Sequence, residues 1–103
     1  MVTTTYELIT PEIAASLLES SYYKRNLSKS VIQRYADDML AGEWDETIAT
    51  PIWVDEDGML RDGRHRMAAI VGSKVAIHML VIRNVPREDE YFKMYEDEYF
   101  KMY

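Results

Sequence analysis

Residues 62–66 read Asp62-Gly63-Arg64-His65-Arg66: a carboxylate, a glycine and three cationic or titratable side chains in succession. Met59-Leu60 lies just before this run and an apolar stretch, 67–71, follows it at once. The order spells strand, tight turn and helix start. Glycine lets the backbone turn sharply and lets a ligand approach closely. The first N–H groups of the new helix have no intrahelical partner, and that end carries partial positive charge. Adding Arg64, His65 and Arg66 makes a small anion site, suited above all to phosphate.

Each residue of the run carries a functional reading and a plainer one. Arg66 is the leading phosphate contact, because its fork matches phosphate or carboxylate; a salt bridge to Asp62 or Asp57 would occupy the same fork. His65 is a phosphate donor or an acid–base group, with an ordinary pKa near ~6.5; the plainer reading is an exposed first-turn histidine. Asp62 is either a metal ligand or general base, or a turn residue that caps the following helix. Phosphate or nucleotide binding therefore falls to Gly63, Arg64, His65 and Arg66, and any catalysis to Asp62 and His65.

Other chemistry-bearing residues read more plainly. His78 lies in an apolar strand run and reads as a core or edge histidine. Two histidines, Asp62 and no cysteine make no zinc signature, so no metal ligands are assigned. Asp55-Glu56-Asp57 could hold magnesium beside a nucleotide, but with Gly58 behind it the cluster reads as a solvated hairpin tip. Lys24, Arg25 and Lys29 could reach a phosphate chain, and Tyr22 and Tyr23 could stack on a base. A solvated face and packing tyrosines are the plainer readings.

The elements that must position these residues follow from the pattern. Residues 4–9 read as a short strand, because Tyr6, Leu8 and Ile9 are good strand formers. Thr10-Pro11-Glu12 starts a helix, with Thr10 as N-cap and Pro11 at the first helical position. Ile13, Ala14, Leu17 and Leu18 share one face of it. Residues 20–27 read as a loop. Ser28 caps a second helix, whose apolar positions Ile32, Tyr35, Ala36, Met39 and Leu40 keep the helical period until Gly42 ends it. Trp44 and Trp53 are packing anchors. Residues 51–54 and 59–61 read as a hairpin around 55–58. A short helix over 64–71 stops at Gly72. Residues 75–83, rich in Val, Ile and Leu, read as a buried strand. Residues 84–89 read as another helix start.

The composition bounds the class. A chain of 103 residues makes one domain with one modest core. The absence of cysteine excludes disulfides, thiolate metal sites and cysteine nucleophiles. No apolar run approaches the ~20 residues of a membrane span, and residues 1–5 are no signal peptide, so a cytoplasmic protein is expected. The net charge of −6 is concentrated in residues 88–103, which carry six acids and two lysines. The near-neutral remainder gives no global field for nucleic acid. Any DNA contact would be local, through Arg61, Arg64 and Arg66 or through Lys24, Arg25 and Lys29.

The tail is a perfect tandem repeat, EDEYFKMY over 88–95 and again over 96–103. On a helix, Tyr91, Tyr95, Tyr99 and Tyr103 form one stripe at i+4 spacing. Asp89, Lys93, Asp97 and Lys101 form the opposite stripe, with signs placed for i,i+4 attraction. Two copies are too few for a solenoid. The first copy reads as a lengthening of the last helix. The second has a contact role, internal or with a protein partner or second copy. The division is thus a body, 1–86, and an acidic aromatic C-terminal helix, 87–103.

Several motifs occur in one order: Ile9-Thr10-Pro11-Glu12, Tyr35-Ala36-Asp37-Asp38-Met39, Gly42-Glu43-Trp44, Pro51-Ile52, Asp57-Gly58 and Leu60-Arg61-Asp62-Gly63-Arg64-His65-Arg66-Met67-Ala68-Ala69. Together they resemble the ParB/sulfiredoxin superfamily. Within it they are similar to small phage and actinobacterial proteins with a DGQHR-type motif. The resemblance covers about residues 7–86. It implies a compact α/β (α+β) fold, a small mixed sheet with packed helices, and a phosphate-binding turn at 63–66. Members bind ATP or CTP with Mg²⁺ there, and some act as NTPases, phosphotransferases or suspected nucleases. Carried over, Gly63, His65 and Arg66 would contact phosphate and Asp62 would orient the turn or help hold a metal. Glu43, Asp45 and Glu46 would lie near the site as candidate bases.

Two departures narrow the expectation. Sulfiredoxin has a cysteine where Arg64 stands, so sulfinic-acid reduction is out. The chain is too short for the helix-turn-helix and dimerisation domains of a complete partition protein. The function expected is a ParB-like nucleotide- or phosphate-binding domain. The alternatives are a phage-type interaction protein, in the host cytoplasm, that blocks a host enzyme or DNA-associated partner through its acidic tail, and a small DNA-binding or nuclease module.

Overall fold

In a computed structural model, residues 1–23, 25–45 and 50–86 are described. Four strands and three helices follow one another as β1 (Thr3–Ile9), α1 (Pro11–Glu19), α2 (Lys29–Leu40), β2 (Ile52–Asp55), β3 (Leu60–Asp62), α3 (Arg64–Ser73) and β4 (Ile77–Val85). The result is a compact mixed α/β fold whose sheet has the order β1-β4-β2-β3. β4 lies inside the sheet, antiparallel to β1 from Thr3↔Arg83 to Ile9↔Ile77, and parallel to β2 through Ile52↔Val81. β2 and β3 form an antiparallel hairpin with an irregularity at Trp53/Val54.

Local signals account for the helix starts. The Thr10 side chain accepts from the Ile13 N–H and Pro11 opens α1, while the Ser28 hydroxyl accepts from the Val31 N–H at the head of α2. Each bond satisfies one of the N–H groups a helix leaves without an internal partner. Ala14 and Leu17 of α1, Ala36 and Met39 of α2, and Met67, Ala69 and Ile70 of α3 join one core with Ile9, Ile52, Val54, Leu60, Ile77, Met79 and Val81 of the sheet. The helices therefore cover the sheet face that carries Ile77, Met79 and Val81. Trp44 packs against this core with its ring edge-on to Tyr35 at 5.2 Å, as an anchor should. Ile13 and Leu40, expected on the buried faces, are exposed at the margins of their helices.

Three expectations are corrected. α3 does not stop at Gly72: it runs to Ser73 and ends on Lys74, which takes the left-handed conformation at φ 61°. The core contacts of Ile70 and the Lys74 N–H bond to the Ile70 carbonyl outweigh the modest helix penalty of one glycine. The last strand runs over Ile77–Val85, through Asn84 at φ 61° where a helix start was expected, because beyond its pairing with β1, which ends at Arg83, Val85 pairs with Asp55 of β2 and its carbonyl accepts from the Glu56 N–H at 2.9 Å. It is also not buried on both sides. Ile77, Met79 and Val81 are buried, but His78 and Leu80 are exposed. The helix expected over 87–103 lies outside the described residues, as do Lys24 and Glu46.

Candidate anion site at two helix starts

The hairpin that feeds the site is locked from inside by Asp55. Its side chain is fully buried, so the expectation of a solvated cluster holds only for Glu56 and Asp57. Asp55 Oδ1 accepts from the N–H groups of Asp57 and Met59, both at 2.9 Å, and Oδ2 accepts from Arg61 Nε at 2.8 Å. The Arg61 guanidinium also lies 3.6 Å from the centroid of the Tyr22 ring. Buried ion pairs persist where further hydrogen bonds satisfy the charged groups, and here both oxygens of Asp55 accept, from three donors in all. Arg61 is thereby spent on the hairpin and does not form part of a basic surface.

β3 leads through Gly63 into α3. Gly63 stands at the N-cap with φ 117° and ψ 14°. A β-carbon there would sit 2.5 Å from Cγ2 of Ile52, so the turn needs glycine both for its backbone and for its closeness to β2. The Met67 N–H donates to the Gly63 carbonyl at 2.9 Å and closes the first turn of α3.

The three basic residues of the turn go to three different places. Arg66 is buried and turns back across the turn. Its Nη1 donates to the Thr50 carbonyl and its Nη2 to the Pro51 carbonyl at 3.3 Å and to Asp62 Oδ2 at 3.4 Å. The salt bridge to Asp62, the plainer of its two readings, is thus present. Arg64 reaches the 20–27 loop, where its Nη1 donates to the carbonyls of Arg25 at 2.7 Å and Tyr23 at 3.3 Å. His65 faces α2, and its Nε2 accepts the Ser28 backbone N–H at 3.0 Å.

That last bond joins the starts of α2 and α3. An imidazole that accepts at Nε2 is neutral and carries its proton on Nδ1. Burial pushes the His65 pKa below the ordinary 6.5, the Arg64 charge pushes the same way, and Asp62 pulls it partly back. Beside the two helix starts is a groove lined by Tyr23, Arg25, Leu27, Lys29, Ile32 and Arg64, among others. It combines an apolar wall, from Leu27 and Ile32, with three cationic side chains. Lys29 and Arg25 are exposed.

The structure thus brings Arg64 to this groove together with Arg25 and Lys29, keeps His65 beside it as the link to Ser28, and sends Arg66 and Asp62 to the entry of β2. Leu27 and Ile32 are lining residues that sequence reasoning missed; Ile32 reads as core by its period. Glu43 and Asp45 follow the far end of α2, roughly 18 Å along the helix from Lys29. Among the described residues no three His, Asp or Glu side chains come together as a metal site, and no helix is long and apolar enough to cross a membrane. Comparison of the chain with known protein families, with characterised proteins and with solved structures finds no match.

Proposed function

We propose that this chain is a ParB/sulfiredoxin-like binding domain for a nucleotide or another phosphorylated ligand, held in the groove between the starts of α2 and α3. The observation that carries the reading is the Ser28 N–H bond to His65 Nε2 at 3.0 Å, which sets two helix starts side by side next to Arg25, Lys29 and Arg64. Helix N-termini favour anions through their N–H groups and their dipole, and clustered cations add to that attraction. The apolar wall of Leu27 and Ile32 suits the base or sugar of a nucleotide better than a bare phosphate, which would have no use for it.

Binding is better supported than hydrolysis. Both acid–base candidates are already engaged, Asp62 with Arg66 and His65 with Ser28. Their present contacts position the turn. A magnesium ion would arrive with a triphosphate and be held chiefly by its oxygens, in the usual manner of that ion.

Calorimetric titration with ATP, CTP, GTP and ADP, each with Mg²⁺, tests the reading on the wild type and on Lys29→Ala and Arg64→Ala. Micromolar binding of one nucleotide, weakened at least tenfold in both variants, is the expected result. Absence of heat with all four, in a folded protein, would remove the proposal.

A further inference from the structure

The two edges of the sheet are built differently. At one edge β3 is three residues long, and the Leu60 carbonyl accepts the Tyr22 N–H at 3.0 Å, so the 20–27 loop closes it. At the other edge, seven residues of β1 pair one for one with β4, with no shift of register. Among the described residues β1 has no strand on its outer side. In an antiparallel pair, alternate residues turn their N–H and C=O groups away from the partner strand, so a row of these groups faces outward along β1. Proteins ordinarily guard such an edge with lysine, proline, a bulge or a covering loop. Residues 3–8 read Thr-Thr-Thr-Tyr-Glu-Leu, and none of them is buried. Their one charge, Glu7, lies beside Met79 on the helix-covered face and is held by Arg83 at 2.7 and 2.8 Å.

We propose that this edge pairs with the same edge of a second copy, β1 antiparallel to β1 about a two-fold axis at Tyr6, so that two four-stranded sheets become one of eight strands. The same strand on both sides of an antiparallel pair is the arrangement a two-fold dimer requires. Tyr6 then faces Tyr6 of the second copy, Leu8 faces Thr4, and Thr5 faces Glu7. The first two pairs lie on the open face of the sheet, where Tyr6 is 58 % and Leu8 45 % exposed. Aromatic and apolar cross-strand pairs stabilise a ladder, and like charges directly opposite weaken it. Here a hydroxyl opposes each Glu7 carboxylate, whereas an axis at residue 7 would set the two carboxylates against each other. The pairing ends at residues 4 and 8, because Ile9 is fully buried where the chain turns into α1.

A strand from another protein would meet the same backbone groups, but a copy of β1 brings the matching side chains by symmetry. No residue of β1 lines the groove at the starts of α2 and α3, so the dimer and the anion site are independent.

Sedimentation equilibrium of the full chain tests the pairing, from about 10 to about 500 μM in 0.15 M salt, where repulsion between two chains of net charge −6 is screened beyond ~8 Å. A 12.1 kDa monomer should pass into a dimer as concentration rises. Tyr6→Lys, which sets two ammonium groups across the axis, should stay monomeric with native circular dichroism. Leu80→Lys, on the open face but away from the edge, should still dimerise. Because the chain has no cysteine, a disulfide reports the register. Thr4→Cys protein mixed with Leu8→Cys protein should cross-link under mild oxidation, since facing residues lie within the ~7 Å Cα limit. Neither protein should cross-link alone, because residue 4 lies about 13 Å along the strand from its own counterpart. Three results would overturn the proposal. A wild type that remains monomeric throughout leaves the edge to a strand of another protein. A dimer that survives Tyr6→Lys lies elsewhere on the molecule. A dimer lost in folded Leu80→Lys is formed by stacking of the open faces.

Discussion

The backbone N–H of Ser28 donates to Nε2 of His65, 3.0 Å away and 37 residues along the chain. One hydrogen bond thereby ties the cap of α2 to the first turn of α3. It exists only while His65 is neutral, since a protonated ring offers donors at both nitrogens.

This sets a pH dependence with a defined sign. The folded-state pKa of His65 lies below its unfolded value, so the unfolded chain takes up the proton first. The contribution to stability is complete above about pH 6.5 and is lost as the pH falls through the folded pKa. Urea unfolding of wild type between pH 8 and 5 should show a falling midpoint below about 6.5, and His65→Gln should flatten that fall. Glu7 is distinct. Its hydrogen bond from Arg83 lowers its pKa below 4.5, so its contribution is present above that range and is lost only in more acidic solution. Parallel profiles for the two proteins above pH 5 would contradict the assignment to His65.

Gly63→Ala should destabilise the fold by about 1–3 kcal/mol, from a strained positive φ and from the clash with Ile52. Gly58→Ala, also at positive φ but with nothing within 4 Å of the new methyl, should cost less. Denaturant midpoints of the two variants measure the difference, and equal losses would mean that contact with Ile52 contributes nothing.

Asp55→Ala should cost about 3–5 kcal/mol, because it strips a buried guanidinium of its carboxylate and leaves two turn N–H groups without an acceptor. Asp55→Asn retains one oxygen that can accept and should cost less. Equilibrium unfolding of the pair distinguishes the contributions; a loss below 1 kcal/mol for alanine would mean water replaces the carboxylate fully.

Arg66→Ala should lower stability by about 1.5–3 kcal/mol, through loss of a charged donor to two backbone carbonyls and to Asp62. Nucleotide binding by the fraction that stays folded should be close to normal, whereas Lys29→Ala should weaken binding with little change in stability. The reverse pattern, a stable Arg66→Ala that has lost all affinity, would move the phosphate to the Asp62 side of the turn.

Much of the fold is legible in the chain because its signals act within about four residues. Thr10 and Ser28 cap the helices they precede and the Asp57-Gly58 turn closes the hairpin through bonds to nearby backbone, and Pro11 opens α1 through its fixed φ and missing N–H. The turn at Gly63 between strand and helix is legible for the same reason. The placement of the basic side chains is not. Arg64, His65 and Arg66 are consecutive on one helical turn, so they point in three directions about 100° apart, and what each meets depends on what packs there. Arg66 meets carbonyls at 50 and 51, Arg64 meets the 20–27 loop, and His65 meets the head of α2. The same limit applies to β4. Its run of Val, Ile and Leu reads as buried on both sides, but burial is decided by which faces the helices reach, and all three pack on one.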